Sequence, residues 1–168
     1  ASGLIRELGI DIARLLEDFE FNWVGMRSGL QPALLFDQAR YGRDVLLRGV
    51  TLDGTEPGEL ATHVDAFPLP EAARAKLKAF LLASGDVLAG LLPAQREAYL
   101  RGTSYPDFLR EHFDLPEAAT QIFSNTPSGF WGLPAESLSI MECLQMGLPG
   151  AHVLGKASEP EAEEQQRP

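Results

Sequence analysis

Apolar residues at three- and four-residue spacing dominate the chain, and they mark helices. Leu4, Ile5, Leu8, Ile12, Leu15, Leu16 and Phe19 form one apolar helical face. Gly9 divides it, and Asp11 is placed to cap the second helix. Asn22–Gln31 has little periodicity and contains Gly25 and Gly29, which predicts a loop. The runs Ala33-Leu34-Leu35-Phe36 and Val45-Leu46-Leu47 flank Asp37–Asp44, where Tyr41-Gly42 sits, and predict a hairpin. Thr51–Pro57 is turn-rich, and a short helix over Glu59–Phe67 stops before Pro68. Pro70 then takes a first helical position ahead of Ala73, Leu77, Phe80 and Leu81. Pro93 opens a helix through Leu100. Ser104 caps the next, with Asp107 in the capping-box place before Phe108, Leu109, His112 and Phe113. Pro116 opens another through Ile122 and Phe123, and Ala135–Met146 forms one more. The expected fold is mainly α, with at most one small β-hairpin near Ala33–Leu47. Residues 1–157 form the helical segment. Ser158–Pro168 is an acidic linker or tail, because four glutamates and a single alanine offer too little apolar surface to offset chain entropy.

Charge narrows the partners. With 24 Asp and Glu against 14 Lys and Arg, the formal net charge of −10 repels phosphate backbones and favours cations such as polyamines. Nucleic acid is not expected. No apolar stretch approaches the roughly 20 residues of a membrane span, since Ser84, Gly85 and Asp86 interrupt the longest ones. The single Cys143 excludes an internal disulfide and fits a small core residue. A start at Ala1-Ser2-Gly3 that enters a helical pattern at once suits an excised or processed piece.

Motifs that carry chemistry are mostly missing. A dinucleotide fingerprint needs Gly-x-Gly to bring backbone to a pyrophosphate, and no two of the 16 glycines stand one residue apart. The chain alone is expected to bind neither FAD nor NAD. Gly150–Ala157 copies the spacing of a phosphate loop up to Lys156, then places Ala157 where a hydroxyl is needed. His63, His112, His152 and Cys143 lie too far apart for a close metal pair, so no metal is expected. Gly25-Met26-Arg27-Ser28-Gly29 holds its serine one place late for a nucleophile elbow. The aromatic turn Phe130-Trp131-Gly132 and the acids Glu136 and Glu142 of the following helix remain as pocket candidates; Phe130 and Trp131 fit core anchors as well, and a solvated helix face is the ordinary place for the two acids.

Gly3-Leu4-Ile5-Arg6-Glu7-Leu8-Gly9-Ile10-Asp11, Leu35-Phe36-Asp37, Ser104-Tyr105-Pro106-Asp107-Phe108-Leu109 and Gly147-Leu148-Pro149-Gly150 occur in this order. Together they resemble the middle of the bacterial spermidine-dehydrogenase-like flavoproteins, of the FAD-dependent amine oxidase group. The resemblance implies a soluble oxidoreductase, cytoplasmic or periplasmic, that passes hydride from an amine-bearing carbon to FAD. It implies that FAD is held by the rest of the parent protein and that this segment walls the cavity for a small-molecule amine. Phe130, Trp131 and Glu136 are the expected pocket residues; no cofactor residue carries over. The alternative is a free-standing helical interaction module. A segment that lacks its flavin domain is expected to expose Leu4, Ile5, Leu8, Phe21, Trp23, Phe130 and Trp131 together, to be marginal in solution and to bind a hydrophobic dye, whereas a module closes its apolar faces internally.

Overall fold

The computed structural model describes residues 5, 7–11, 14 and 28–155, which fall in two compact units, Ala1–Pro32 and Ala33–Pro168. In the first, Ile5 and Glu7 are helical and the chain turns at Leu8–Gly9, where Gly9 has φ 66°. Asp11 accepts the Arg14 backbone N–H at 3.2 Å, as an N-cap does. Leu4, Ile12, Leu15, Leu16, Phe19, Phe21 and Trp23 lie outside the described residues, and so does the acidic tail. Of the expected loop Asn22–Gln31, residues 28–31 are described: Ser28 is helical and Gly29 turns at φ 61°.

The second unit is mainly helical and carries one antiparallel hairpin, β1 (Ala33–Phe36) with β2 (Val45–Arg48). Its register pairs Leu34 with Leu47, Leu35 with Leu46 and Phe36 with Val45. Strand alternation sends Phe36 into the core and leaves Leu35 and Leu46 63% and 53% exposed on the outer face. The connection is a one-turn helix, α1 (Gln38–Tyr41). Asp37 caps its start by accepting from the Arg40 N–H at 2.9 Å, and Gly42 ends it at φ 77°.

Six longer or shorter helices follow before the last. They are α2 (Pro57–His63, continued by a 3₁₀ turn to Ala66), α3 (Glu71–Leu82), α4 (Pro93–Gly102), α5 (Tyr105–Phe113), α6 (Glu117–Thr120, continued to Phe123) and α7 (Ser128–Trp131). α3 buries the predicted set Ala73, Leu77, Phe80 and Leu81. Pro70 and Pro116 stand one place earlier than expected, as the extended caps of α3 and α6, because their fixed φ suits either position. Ser104 caps α5 through the Asp107 N–H at 3.3 Å.

The expected helix Ala135–Met146 is two elements. Ala135–Ser137 is a 3₁₀ turn, Leu138 is extended (φ −115°, ψ 147°), and α8 runs only over Ile140–Gln145. The physical reason is Ser139. It is a second N-cap, and Glu142 returns a carboxylate to its backbone N–H at 2.8 Å, completing a capping box. The extended step also pairs across the fold: Tyr105 donates its N–H to Leu138, Ile140 donates to Thr103, and Ser104 and Ser139 form one antiparallel bridge. Two capped helices therefore start side by side.

The core lies between these helices. Phe108 and Leu109 of α5, Leu77 and Phe80 of α3, Phe123, Ile140 and Phe67 are all buried. Phe80 packs on Phe113 and Tyr105 meets Phe123 edge-on, at centroid distances of 4.7 and 5.7 Å. Gly147–Gly150 closes over this core. A β-carbon on Gly147 would lie 2.9 Å from the Gly54 backbone nitrogen, and one on Gly150 would lie 2.8 Å from a Leu144 methyl. The Tyr105 hydroxyl donates to the Pro149 carbonyl at 2.7 Å. Among the described residues no helix is long and apolar enough to cross a membrane.

Candidate functional site

Pro127 and Gly132 frame the aromatic turn. The Trp131 N–H bonds the Pro127 carbonyl, and the Gly132 N–H bonds Ser128 with Gly132 at φ 68°. One helical turn so short cannot bury both sides, and it presents Phe130 70%, Trp131 40% and Leu133 46% exposed. The two rings pack edge to face at 5.0 Å. With Leu133 they form an exposed apolar ridge.

Glu136 belongs to a different place. Its carboxylate accepts from the Ser124 hydroxyl at 2.8 Å, while Ala135 donates its backbone N–H to the Ser124 carbonyl. It lines a polar cleft of about 290 Å³ with Arg101–Ser104, Ser137–Ser139 and Glu142. Phe130 and Trp131 do not line that cleft, so the three expected pocket residues divide between a ridge and a cleft. Glu142 is held below the usual glutamate range by the Ser139 backbone N–H first and the Ser139 hydroxyl second. The cleft sets two serine-bonded carboxylates, Glu136 and Glu142, beside Arg101.

It offers no ready nucleophile. Ser104 and Ser139 spend their hydroxyls as caps, on Asp107 and Glu142. Cys143 is buried, and burial pushes its thiol up to about 12, which keeps it protonated at neutral pH. His112 bonds the Tyr99 hydroxyl at 3.0 Å. His152 faces the Phe80 carbonyl at 3.0 Å; that oxygen only accepts, so Nε2 carries the hydrogen. Among the described residues no group of three His, Cys, Asp or Glu is placed to hold a metal ion.

Gly150–Gly155 does not make a phosphate cradle. Val153 and Leu154 donate their N–H groups to Gly150 and Ala151, and Gly155 donates to Gly85. Gly155 also packs against the Asp86 carboxylate, which a phosphate would meet as a like charge. That carboxylate is held by Arg96 at 2.7 Å, and Arg96 also donates to the Leu154 carbonyl. The loop is a structural clasp. Lys156 and Ala157 lie outside the described residues.

No family model matches the chain, and no curated protein matches it. Two features of the site escaped the sequence reading. Ser139-x-x-Glu142 was a legible capping box, hidden inside an otherwise continuous apolar period. Arg40, Arg43 and Arg48 were legible as a basic group in an acidic chain, although only coordinates show that none pairs with a carboxylate among the described residues.

Proposed function

We propose that this chain is part of a spermidine-dehydrogenase-like, FAD-dependent amine oxidoreductase, in which it walls the amine cavity and is not competent alone. The observation that carries the reading is the exposed ridge of Phe130, Trp131 and Leu133, an aromatic surface of the kind that lines an amine pocket or packs on a missing domain. The nearby sequence also supplies the acidic cleft of Glu136 and Glu142, suited to a protonated amine. Of the other exposed residues expected on this reading, Leu8 is 65% exposed and Ile5 is half-buried. The tightest glycines, Gly147, Gly150 and Gly155, are filled by Gly54, Leu144 and Asp86, which leaves none of them open to a pyrophosphate. On this reading FAD rests on the remainder of the parent.

The closed core of residues 36–154 favours a second reading, a helical interaction module. The coding sequence that flanks this chain separates the two. The proposal expects an in-frame Gly-x-Gly-x-x-Gly segment upstream, and a full-length protein whose flavin is bleached by spermidine under anaerobic conditions. In that protein, Phe130→Ala with Trp131→Ala should raise KM for the amine roughly tenfold or more, about 1.4 kcal/mol of lost binding. A flanking sequence without a nucleotide-binding segment leaves the module as the answer.

A further inference from the structure

The hairpin differs from the rest of its unit in charge. Lys76, Lys78, Arg96, Arg101 and Arg110 each pair with a carboxylate, and Arg74 donates to the Phe67 and Leu69 carbonyls. Arg40 donates to the Gln121 carbonyl at 3.3 Å and lies over the Tyr41 ring, and neither it nor Arg43 nor Arg48 pairs with a carboxylate among the described residues. The local acids are engaged elsewhere. Asp37 and Asp44 accept from the backbone N–H groups of Arg40 and Gln38, at 2.9 and 2.7 Å. In a chain of net charge −10, the hairpin thus holds three exposed arginines that no acid among the described residues pairs with.

Its backbone is also incomplete. β1 and β2 form the only sheet among the described residues, and β1 makes no other backbone hydrogen bond there. Two strands alone are marginal in water, and an open edge is a template for another strand. A groove of about 280 Å³ lies beside β1, lined by Leu34–Asp37, Arg40, Tyr41, Leu52, Ile122, Asn125 and Thr126, and by no residue of β2. Exposed Leu35 and Leu46 pair on the outer face, with Arg48 opposite Ala33 at its end.

We infer that the open edge of β1 takes up an extended, acidic polypeptide segment as a third strand. Alternate side chains of that segment would enter the groove beside Leu34 and Phe36, while its carboxylates meet Arg40, Arg43 and Arg48. A third strand supplies the missing hydrogen bonds, the apolar cover and the negative charge at once. An anionic lipid surface would answer the arginines but not the strand edge. The inference is independent of the amine-oxidase reading.

The test uses the whole chain and a fluorescein-labelled heptapeptide alternating glutamate and valine, with the lysine–valine peptide as control. Saturable anisotropy is expected for the acidic peptide alone, together with new hydrogen-exchange protection in Ala33–Phe36. Arg43→Glu with Arg48→Glu, both exposed, should weaken it at least about tenfold, and so should high salt. Leu35→Lys, at a site 63% exposed, provides a second variant that spares the core. Equal binding of both peptides, no binding up to roughly 1 mM, or protection outside β1 overturns the inference. Binding to phosphatidylserine vesicles without peptide binding overturns it in favour of a lipid surface.

Discussion

The Tyr105–Pro149 region and the Phe130–Leu133 turn use the same residue types to opposite ends. In the first, every large side chain has a partner: Tyr105 is fully buried, its ring meets Phe123 and its hydroxyl reaches Pro149. In the second, Phe130 and Trp131 pack on each other and stay 70% and 40% exposed. Both have a proline at or beside the start of a helix, Pro106 in the first turn of α5 and Pro127 before α7. What differs is the return of the chain. Gly147–Gly150 comes back over α5 because two glycines allow close contact with Gly54 and Leu144, and nothing described comes back over α7. Stability should therefore reside in the first region and recognition in the second.

The largest effect should come from Phe108→Ala, which empties a fully buried site under the Gly150 loop. A loss of about 3–5 kcal/mol is expected, read as a lower midpoint in urea at unchanged slope. Tyr105→Phe keeps the ring but leaves the Pro149 carbonyl without its donor, at a cost of roughly 1–3 kcal/mol. A neutral result there would place the strength of the closure in packing alone.

Ser139→Ala removes a cap and should cost about 1 kcal/mol. It also carries a pH signature. The Glu142 pKa is depressed in the folded chain, so its contribution is present above the ordinary glutamate value and is lost as pH falls through the lower, folded value. The difference between wild type and S139A should therefore shrink in acid, by urea titration from neutral pH downward. At the other extreme, Phe130→Ser with Trp131→Ser should move stability by no more than about 0.5 kcal/mol. Hydrophobic-dye fluorescence should fall markedly in that variant. A large destabilisation would mean that the ridge belongs to the core, and the contrast would collapse.

The helical majority was legible because its periods, capping serine and leading prolines agree with one another: α3 buries the apolar set its spacing predicts, and α5 buries Phe108 and Leu109 of its set while His112 and Phe113 are half-buried. The hairpin was legible from two apolar runs. The break at Leu138 was not, since an apolar period runs through it and only the cross-chain bonds to Thr103 and Tyr105 favour the extended step. The candidate site fared less well. Phe130, Trp131 and Glu136 are neighbours in sequence, and the 3₁₀ turn at Ala135 sends them to different surfaces, a property of backbone direction that composition does not encode.

The bridge between Ser104 and Ser139 has one more consequence. The chain leaves this rung at Tyr105 and regains it at Leu138, and the span between contributes Phe108, Leu109, Leu115, Phe123 and Ala135 to the core. Such a span is tied at both ends to one point, so it opens as a unit and not piecemeal. The amides of Tyr105 and Ile140, far apart in sequence, close the two sides of that point. They belong to a single opening event, and native-state hydrogen exchange should assign them one free energy and one denaturant dependence.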